Sequence, residues 1–210
     1  MPNWVFNKVY FYGEKERIEK LKKFVESEEM SFDFNKIVPT PEELNLISGS
    51  DEDVARSCAL ARRRGQTTSA EYEKYGSWNL EVKKSFDEWA DLGEKYLSNI
   101  EKYGASTWYD WHCTHWGTKW NASKPIWYGD NMVTFDTAWS APEPIFQKLA
   151  ELFPDIDIDV DFADEDLGSN CGQITCREGQ YEVEYVNSFE FACDVWGYDP
   201  EELKEEYEEM

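Results

Sequence analysis

A dense run of tryptophan between Trp108 and Trp139 constrains the fold of this chain more than any other feature. Six of the ten tryptophans in the 210-residue sequence fall in this stretch. Large aromatic side chains dominate the burial energy of a core. We therefore expect this stretch to form the wall against which the rest of the chain packs. Its pattern predicts a short helix that ends at Gly117, followed by two strands joined by a turn around Gly129.

Strict alternation makes Asp155–Phe162 (D-I-D-I-D-V-D-F) the clearest strand of the sequence. Apolar residues occupy one face of that strand and four aspartates the other. Asn3–Gly13 is also typical of a strand, and helical spacing follows it over Glu14–Glu28. A hairpin is predicted over residues 168–187. These elements indicate an α+β protein with a mainly antiparallel sheet and helices on one face.

The predicted organisation is one α+β domain over residues 1–210. Residues 40–105 favour helices and form an insertion between parts that contain strands. Residues 106–187 form the aromatic-rich core with its hairpin. Residues 199–210 form an acidic helix or tail.

The net charge of −23 is concentrated in the second half of the sequence. From Pro125 onward there are 23 acidic and three basic residues. Such a field repels nucleic acid and anionic membranes and attracts basic protein surfaces. Solubility alone is the alternative explanation. The sequence has no apolar run of transmembrane length and no secretion signal, so we expect a cytosolic protein.

The aspartates of the alternating strand form the most regular charge pattern. Side chains at i and i+2 lie about 6.6 Å apart on one face of a strand, so they can imitate a row of phosphates. Three further acids extend the row. Alternatives are an exposed face that charge keeps soluble, or a calcium site, although the spacing does not match an EF-hand loop. The predicted partner-binding residues are Asp155, Asp157, Asp159, Asp161, Asp164, Glu165 and Asp166.

His112 and His115 share a helical face and raise the question of a metal site. Zinc needs three or four ligands, and these are the only histidines in the chain. Cys113 lies between them, but neighbouring side chains on a helix diverge, which disfavours a nucleophile–base pair. Cys171 and Cys176 resemble half of a metal clip, and the odd number of cysteines fits reduced thiols. We predict no metal, no cofactor and no catalytic residue.

A second hypothesis assigns the tryptophan-rich stretch to a ligand cleft. In that cleft, lysine and asparagine would supply polar contacts beside the indole rings. The structural alternative is that Asp110, Asn121 and Asp136 bond the indole and amide groups around them. The residues of the ligand-binding hypothesis are Trp108, Trp111, Trp116, Lys119, Trp120, Asn121 and Asp136.

Several segments together resemble the YubB-like family of uncharacterised phage and plasmid proteins. They are M-P-N-W at the N-terminus, F-D-F-N-K-I-V-P at Phe32–Pro39, W-Y-D-W at Trp108–Trp111, W-G-T-K-W-N at Trp116–Asn121 and F-D-T-A-W-S-A-P at Phe135–Pro142. The resemblance implies a ferredoxin-like βαββαβ core, placed over Trp120–Asp166. It also implies a mobile-element origin and a location in the host bacterial cytoplasm. It implies no activity and no catalytic residues.

These observations lead to two function hypotheses of different classes. The first is a non-enzymatic acidic protein that binds a basic surface of a host protein, such as a nuclease or other defence factor, in the manner of a nucleic-acid mimic. The second is a protein, with or without enzymatic turnover, that binds a small molecule or nucleotide in the tryptophan-rich cleft. A scaffold whose aromatic residues are only core is the remaining alternative.

Overall fold

The computed structural model describes residues 3–75 and 84–209. Its contacts separate two compact units, one of residues 1–39 and 112–210 and the other of residues 40–111. Residues 40–111 enclose a core of their own, and the single α+β domain over residues 1–210 stays a prediction. The helical insertion predicted over residues 40–105 lies within this second unit.

The first unit contains a six-stranded sheet in which every neighbouring pair is antiparallel. The order across the sheet is β2-β3-β1-β4-β5-β6. The central strand, β1, pairs with both β3 and β4 along most of its length. The strands are β1 (Trp4–Tyr12), β2 (Ser123–Tyr128), β3 (Met132–Ala138), β4 (Asp157–Asp164), β5 (Cys171–Arg177) and β6 (Gln180–Tyr185).

Helices account for most of the remaining described residues. None of them, within the described ranges, has the length and apolar composition that crossing a bilayer requires. They are α1 (Lys15–Val25), α2 (Phe34–Ile37), α3 (Ser50–Arg63), α4 (Ala70–Tyr75), α5 (Phe86–Tyr103), α6 (Trp108–His115), α7 (Glu143–Leu152), α8 (Phe189–Trp196) and α9 (Pro200–Glu209), with a 3₁₀ turn at Glu42–Leu44.

The path β1-α1-β2-β3-α7-β4 gives the spatial order β4-β1-β3-β2, which is the ferredoxin-like arrangement. The predicted α+β class and antiparallel ferredoxin-like core are therefore confirmed. The β5–β6 hairpin extends the sheet beyond β4. The first strand of this core is β1, which begins at Trp4. The ferredoxin-like core therefore includes a strand outside the ranges 106–187 and Trp120–Asp166 that were predicted to contain it.

One face of the sheet, the helix face, is covered by α1 and α7. Val5, Val9 and Phe11 of β1 point to this face and are fully buried. Phe135 of β3 stacks on Phe146 of α7 with 6.5 Å between ring centroids. The Cys176 thiol of β5 donates to the Phe146 carbonyl, with 3.8 Å between sulfur and oxygen. The main hydrophobic core of this unit therefore lies on the helix face.

Helix α8 packs on the opposite face, so the prediction of helices on one face alone was incomplete. Phe6, which alternates with the buried residues of β1, stacks on Trp196 with 5.1 Å between ring centroids. Ala163 and Cys171 are fully buried in the same cluster. Gly197 ends the helix in the left-handed conformation with φ 79°. Beyond α8, side chains of this second face reach solvent.

The two-residue spacing of Phe32 and Phe34 predicts a short strand over Ser31–Pro39, and that prediction is wrong. Phe34–Ile37 forms a helical turn instead, because the Asp33 carboxylate accepts the Asn35 backbone N–H at 2.8 Å and caps it. Phe32 and Phe34 are both buried, so their two-residue spacing reflects two packed rings and not a strand face.

The second unit is built on α3 and α5, whose buried contacts include Ala55, Trp89 and Tyr96. Helix α5 begins at Phe86, after a capping box between Ser85 and Glu88. The long helix predicted over Asn79–Tyr103 is described only from Phe86 onward, because residues 76–83 lie outside the described ranges.

Candidate functional site

Two rows of side chains cross the second face of the sheet, one residue per strand. Strand register aligns them. The first row changes from apolar and aromatic side chains on β2, β3 and β1 to polar and acidic ones on β4, β5 and β6, and the second row is acidic on β4 and β6. We call these rows, with Tyr12, Asp157 and Arg177 beside them, the open face. From β2 to β6 the rows are Tyr128, Met132, Tyr10, Asp159, Thr175 and Glu182, and Ile126, Thr134, Lys8, Asp161, Gln173 and Glu184.

The aspartates of β4 are held by side chains of the neighbouring strand. Arg177 contacts Asp159 at 2.5 Å and Asp157 at 3.6 Å between nitrogen and oxygen. Gln173 donates to the Asp161 carboxylate at 2.6 Å. The bond to Asp159 raises the pKa of the Arg177 guanidinium above its ordinary value. The row is therefore an ordered array of carboxylates whose positions are fixed by β5.

The charge balance of the open face remains acidic despite Arg177. Its acids are Asp157, Asp159, Asp161, Glu182 and Glu184, against the two bases Lys8 and Arg177. The ammonium of Lys8 is further engaged by the Asp194 carbonyl of α8 at 3.1 Å. A basic surface approaching this face would therefore be attracted to β4, β5 and β6.

The other half of the open face exposes large apolar side chains. Tyr12 is 48% exposed, Ile126 51% and Tyr128 49%. Burial raises the pKa of the Tyr10 phenol, and the negative charge of Asp161 raises it further. A groove at the junction of the two halves is lined by Tyr10, Tyr12, Asp159, Thr175 and Arg177. Contiguous exposed aromatic and acidic groups are typical of an interaction surface.

The seven predicted acids do not form one continuous surface. Three of them lie on the open face, but Asp155 forms an ion pair with Arg17 of α1. Asp164 is 5% exposed and accepts from Asn170 at 2.8 Å. Glu165 accepts the backbone N–H of Trp4 at 3.1 Å, and Asp166 accepts from Ser169 at 3.1 Å. These four acids hold the chain at and beyond the two ends of β4.

Trp116, a member of the ligand-binding hypothesis, lies in the core of the first unit. It is 1% exposed, and its indole N–H donates to the Val38 carbonyl at 2.9 Å. The His112 ring stacks on it with 3.6 Å between centroids and contacts the Lys119 carbonyl through Nδ1 at 3.0 Å. Burial lowers the pKa of His112. A ligand could not reach Trp116 without rearrangement of this core.

Asn121, a polar member of the tryptophan-rich stretch, bonds amide groups, as the structural alternative expected. Asn121 accepts from the Phe34 backbone N–H at 2.9 Å and donates to Asp33 at 2.7 Å. Asp136 is half-buried, and its pKa is raised by burial, with Lys124 opposing that shift. The indole N–H of Trp127 donates to the Ser31 backbone carbonyl, as that of Trp116 does to the Val38 carbonyl. Exposed Asp110 belongs to the second unit, as do Trp108 and Trp111.

Lys119 lies between two partly exposed tryptophans. Its ammonium is 4.6 Å from the ring centroid of Trp120 and 5.0 Å from that of Trp139. Trp120 also contacts Trp4, with 5.8 Å between centroids. Trp139 has φ 72°, a conformation that costs a bulky residue about 1–3 kcal/mol. Lys119 and Trp120, two residues of the ligand-binding hypothesis, are partly open to solvent in this cluster.

The cysteines and histidines that raise the question of a metal site do not converge on one site among the described residues. Cys171 is buried beneath α8 and Cys176 lies on the helix face, so they point to opposite sides of the sheet. Burial raises the pKa of Cys176 to about 12, which keeps it a thiol. Across residues 3–75 and 84–209, no group of three His, Cys, Asp or Glu side chains is arranged to hold a metal ion.

Sequence reasoning missed several residues of the open face. Tyr10 and Tyr12 had a signal, since they alternate with the buried residues Val9 and Phe11 along β1. For Arg177, the only signal in the sequence is its position beside the Glu178-Gly179 turn, which fixes the register of β5 and β6.

Residues 115–209 match the family model described as the ferredoxin-like domain in Api92-like protein. The match covers a little under half of the chain and includes β2 to β6 but not β1. The crystal structure of a protein api92 from Yersinia pseudotuberculosis is similar, with 12% identity and a TM-score of 0.47. The alignment covers 89% of this chain and 99% of that one. No curated protein matches this sequence. The ferredoxin-like domain implied by the sequence resemblance is confirmed; the YubB-like relationship and the phage or plasmid origin stay predictions.

Proposed function

We propose that this protein is a non-enzymatic interaction protein whose open face binds a basic surface of another protein. The observation that carries the proposal is the ordered row of Asp157, Asp159 and Asp161 beside the exposed aromatic groups of β1 and β2. Apolar contact would supply affinity, and the carboxylates would select the partner and steer its approach.

The sign of the charge separates this proposal from RNA binding. Exposed aromatics on the central strands of a ferredoxin-like sheet are also the means by which RNA-recognition domains stack bases. Here Tyr10 is flanked by Asp159 and Asp161, so phosphates approaching these rings would be repelled. A cationic protein surface is the complementary ligand.

The resemblance to phage and plasmid proteins extends the proposal to a partner class. We propose that the partner is a DNA-binding host protein, such as a nuclease or other defence factor, in the host cytoplasm. The pitch of about 6.6 Å between the β4 carboxylates would let them occupy phosphate subsites. Arg177 offsets part of this charge, so mimicry would involve a short stretch of backbone.

The test is affinity capture from host lysate by wild-type protein and by the double variant Asp157→Asn/Asp159→Asn, at about 50 and about 500 mM salt. A control variant, Glu28→Gln/Glu29→Gln, removes the same charge from exposed positions after α1. We expect one protein to be captured at low salt by wild type and control, and lost at high salt or with the open-face variant. Equal capture by both variants would overturn the proposal.

A second candidate is ligand binding at the Lys119, Trp120 and Trp139 cluster. The strained backbone of Trp139 favours it, because strain concentrates at functional sites. Nucleotides that stack there would change tryptophan fluorescence, and the change would disappear in Trp120→Ala. A nucleotide screen without such a change would remove this candidate.

A further inference from the structure

The two edges of the sheet differ in their ability to accept another strand. β2 is poorly suited to pair with another strand. Pro125 lacks a backbone N–H, the register with β3 shifts between Ser123 and Ile126, and Lys124 adopts φ 51°. Proline and bulges are common protections of an edge strand. At the other edge, β6 pairs with β5 in unbroken register over six residues.

The turn between β5 and β6 determines which backbone groups of β6 face outward. Glu178 and Gly179 both have positive φ, 50° and 78°, as in a two-residue type I′ hairpin. In such a hairpin the closing pair is hydrogen-bonded, and bonded pairs alternate from there. Glu182 and Glu184 therefore bond β5. The N–H and C=O groups of Tyr181, Val183 and Tyr185 point away from the sheet, and no described residue bonds them.

The side chains of β6 present two different chemistries to a neighbouring strand. Glu182 and Glu184 are exposed on the open-face side, opposite uncharged Thr175 and Gln173 of β5. On the other side, Val183 is half-buried with Tyr181, and Tyr185 is 53% exposed. A strand added at this edge would meet alternating carboxylate and apolar positions.

We infer that β6 binds an extended segment of a partner protein in which basic and apolar residues alternate, and that this segment becomes a seventh strand of the sheet. The inference rests on the proposed function for the basic character of the partner and adds how the partner binds. Main-chain hydrogen bonds would give affinity, and the alternating side chains would give specificity.

A second copy of this chain is a poor occupant of the same edge. Antiparallel self-pairing centred on Val183 would place Glu182 of one copy opposite Glu184 of the other, and like charges directly opposite are destabilising. The two glutamates therefore disfavour self-association and favour a cationic strand.

The test uses a peptide of alternating lysine and valine and a matched peptide of alternating glutamate and valine. Binding and amide exchange would be followed by NMR. We expect the lysine peptide to bind about tenfold more tightly. The amides of Tyr181, Val183 and Tyr185 should become protected, and Glu182→Lys/Glu184→Lys should reverse the preference.

Val183→Pro supplies the backbone test, because it removes an outward N–H without removing a β5–β6 hydrogen bond. It should abolish peptide binding, while unchanged amide protection in β5 and β4 shows that the variant is folded. The inference is overturned if the lysine peptide does not bind, if both peptides bind equally, or if binding survives in this variant. Binding that leaves the three amides unprotected would overturn it and still leave the open face as the proposed site.

Discussion

Replacing Gly172 with alanine should detach β6 from the sheet. A methyl group at this position would lie 2.1 Å from the Glu184 carbonyl oxygen and 2.9 Å from the Cα of Tyr185. Packed atoms need more than about 3 Å, so the β6 backbone would have to move by about 1 Å. Both atoms belong to the backbone, which cannot turn away as a flexible side chain can.

The expected destabilisation follows from three contributions. Overpacking costs about 1–3 kcal/mol. Opening the bonded pair of Gln173 and Glu184 loses two hydrogen bonds of about 1 kcal/mol each. Alanine recovers about 0.5–1 kcal/mol of backbone entropy relative to glycine. Gly172→Ala should therefore lower the free energy of unfolding, or of local opening of β6, by about 3 kcal/mol.

Urea denaturation followed by circular dichroism measures the global effect, and amide exchange at Glu182 and Glu184 measures local opening. The control is Gln173→Ala, which loses only an exposed hydrogen bond to Asp161 and should cost at most about 1 kcal/mol. An unchanged denaturation midpoint together with unchanged exchange of these two amides in Gly172→Ala would refute the expected clash with β6.

Three further predictions concern the cores of the two units. Gly93→Ala should destabilise residues 40–111, because its Cβ would lie 2.0 Å from the Ala55 carbonyl oxygen. The cost of this clash should exceed the roughly 1 kcal/mol of helix propensity that alanine gains over glycine. Thermal unfolding should show a lower midpoint, and a higher midpoint would mean that α3 and α5 separate freely. Asn7→Asp should cost about 3 kcal/mol or more at pH 7, since the buried Asn7 amide donates to three oxygens that would repel a carboxylate. The pKa of the carboxyl introduced in this way would be raised in the folded state, so the loss of stability should grow as pH rises above about 4. A loss of stability that does not depend on pH in urea denaturation would contradict this prediction. The pKa of His112, measured by NMR, should lie below the ordinary histidine value near 6.5. The contribution of His112 to stability should therefore decline as pH falls below that ordinary value. A raised pKa would show that the His112 ring is not desolvated.

Local patterns predicted much of the fold because they depend on neighbouring residues. The alternation of β4 indicated a strand correctly, and the hairpin predicted over residues 168–187 forms around Glu178-Gly179. Phe32 and Phe34 misled, since their spacing fits a strand while Asp33 caps a helical turn. A short apolar pair cannot distinguish these outcomes.

The sheet order was less accessible because it depends on pairing between distant segments. β1 pairs with β3 and β4 in the folded chain, and the sequence of β1 alone does not indicate which strands it pairs with. The same limit applies to the site. Alternation placed Asp157, Asp159 and Asp161 on one face, but the contacts of Arg177 and the position of α8 follow from register and tertiary packing.

Site-specific photo-crosslinking in host cells tests most directly whether the open face binds a basic protein. A benzophenone amino acid would replace Tyr12 on the open face and, as control, the exposed Lys23 of α1. We predict that one basic protein is crosslinked from position 12, not from position 23, and that the adduct disappears with Asp157→Asn/Asp159→Asn. Equal crosslinking from both positions, or an adduct that persists without the two carboxylates, would contradict the account.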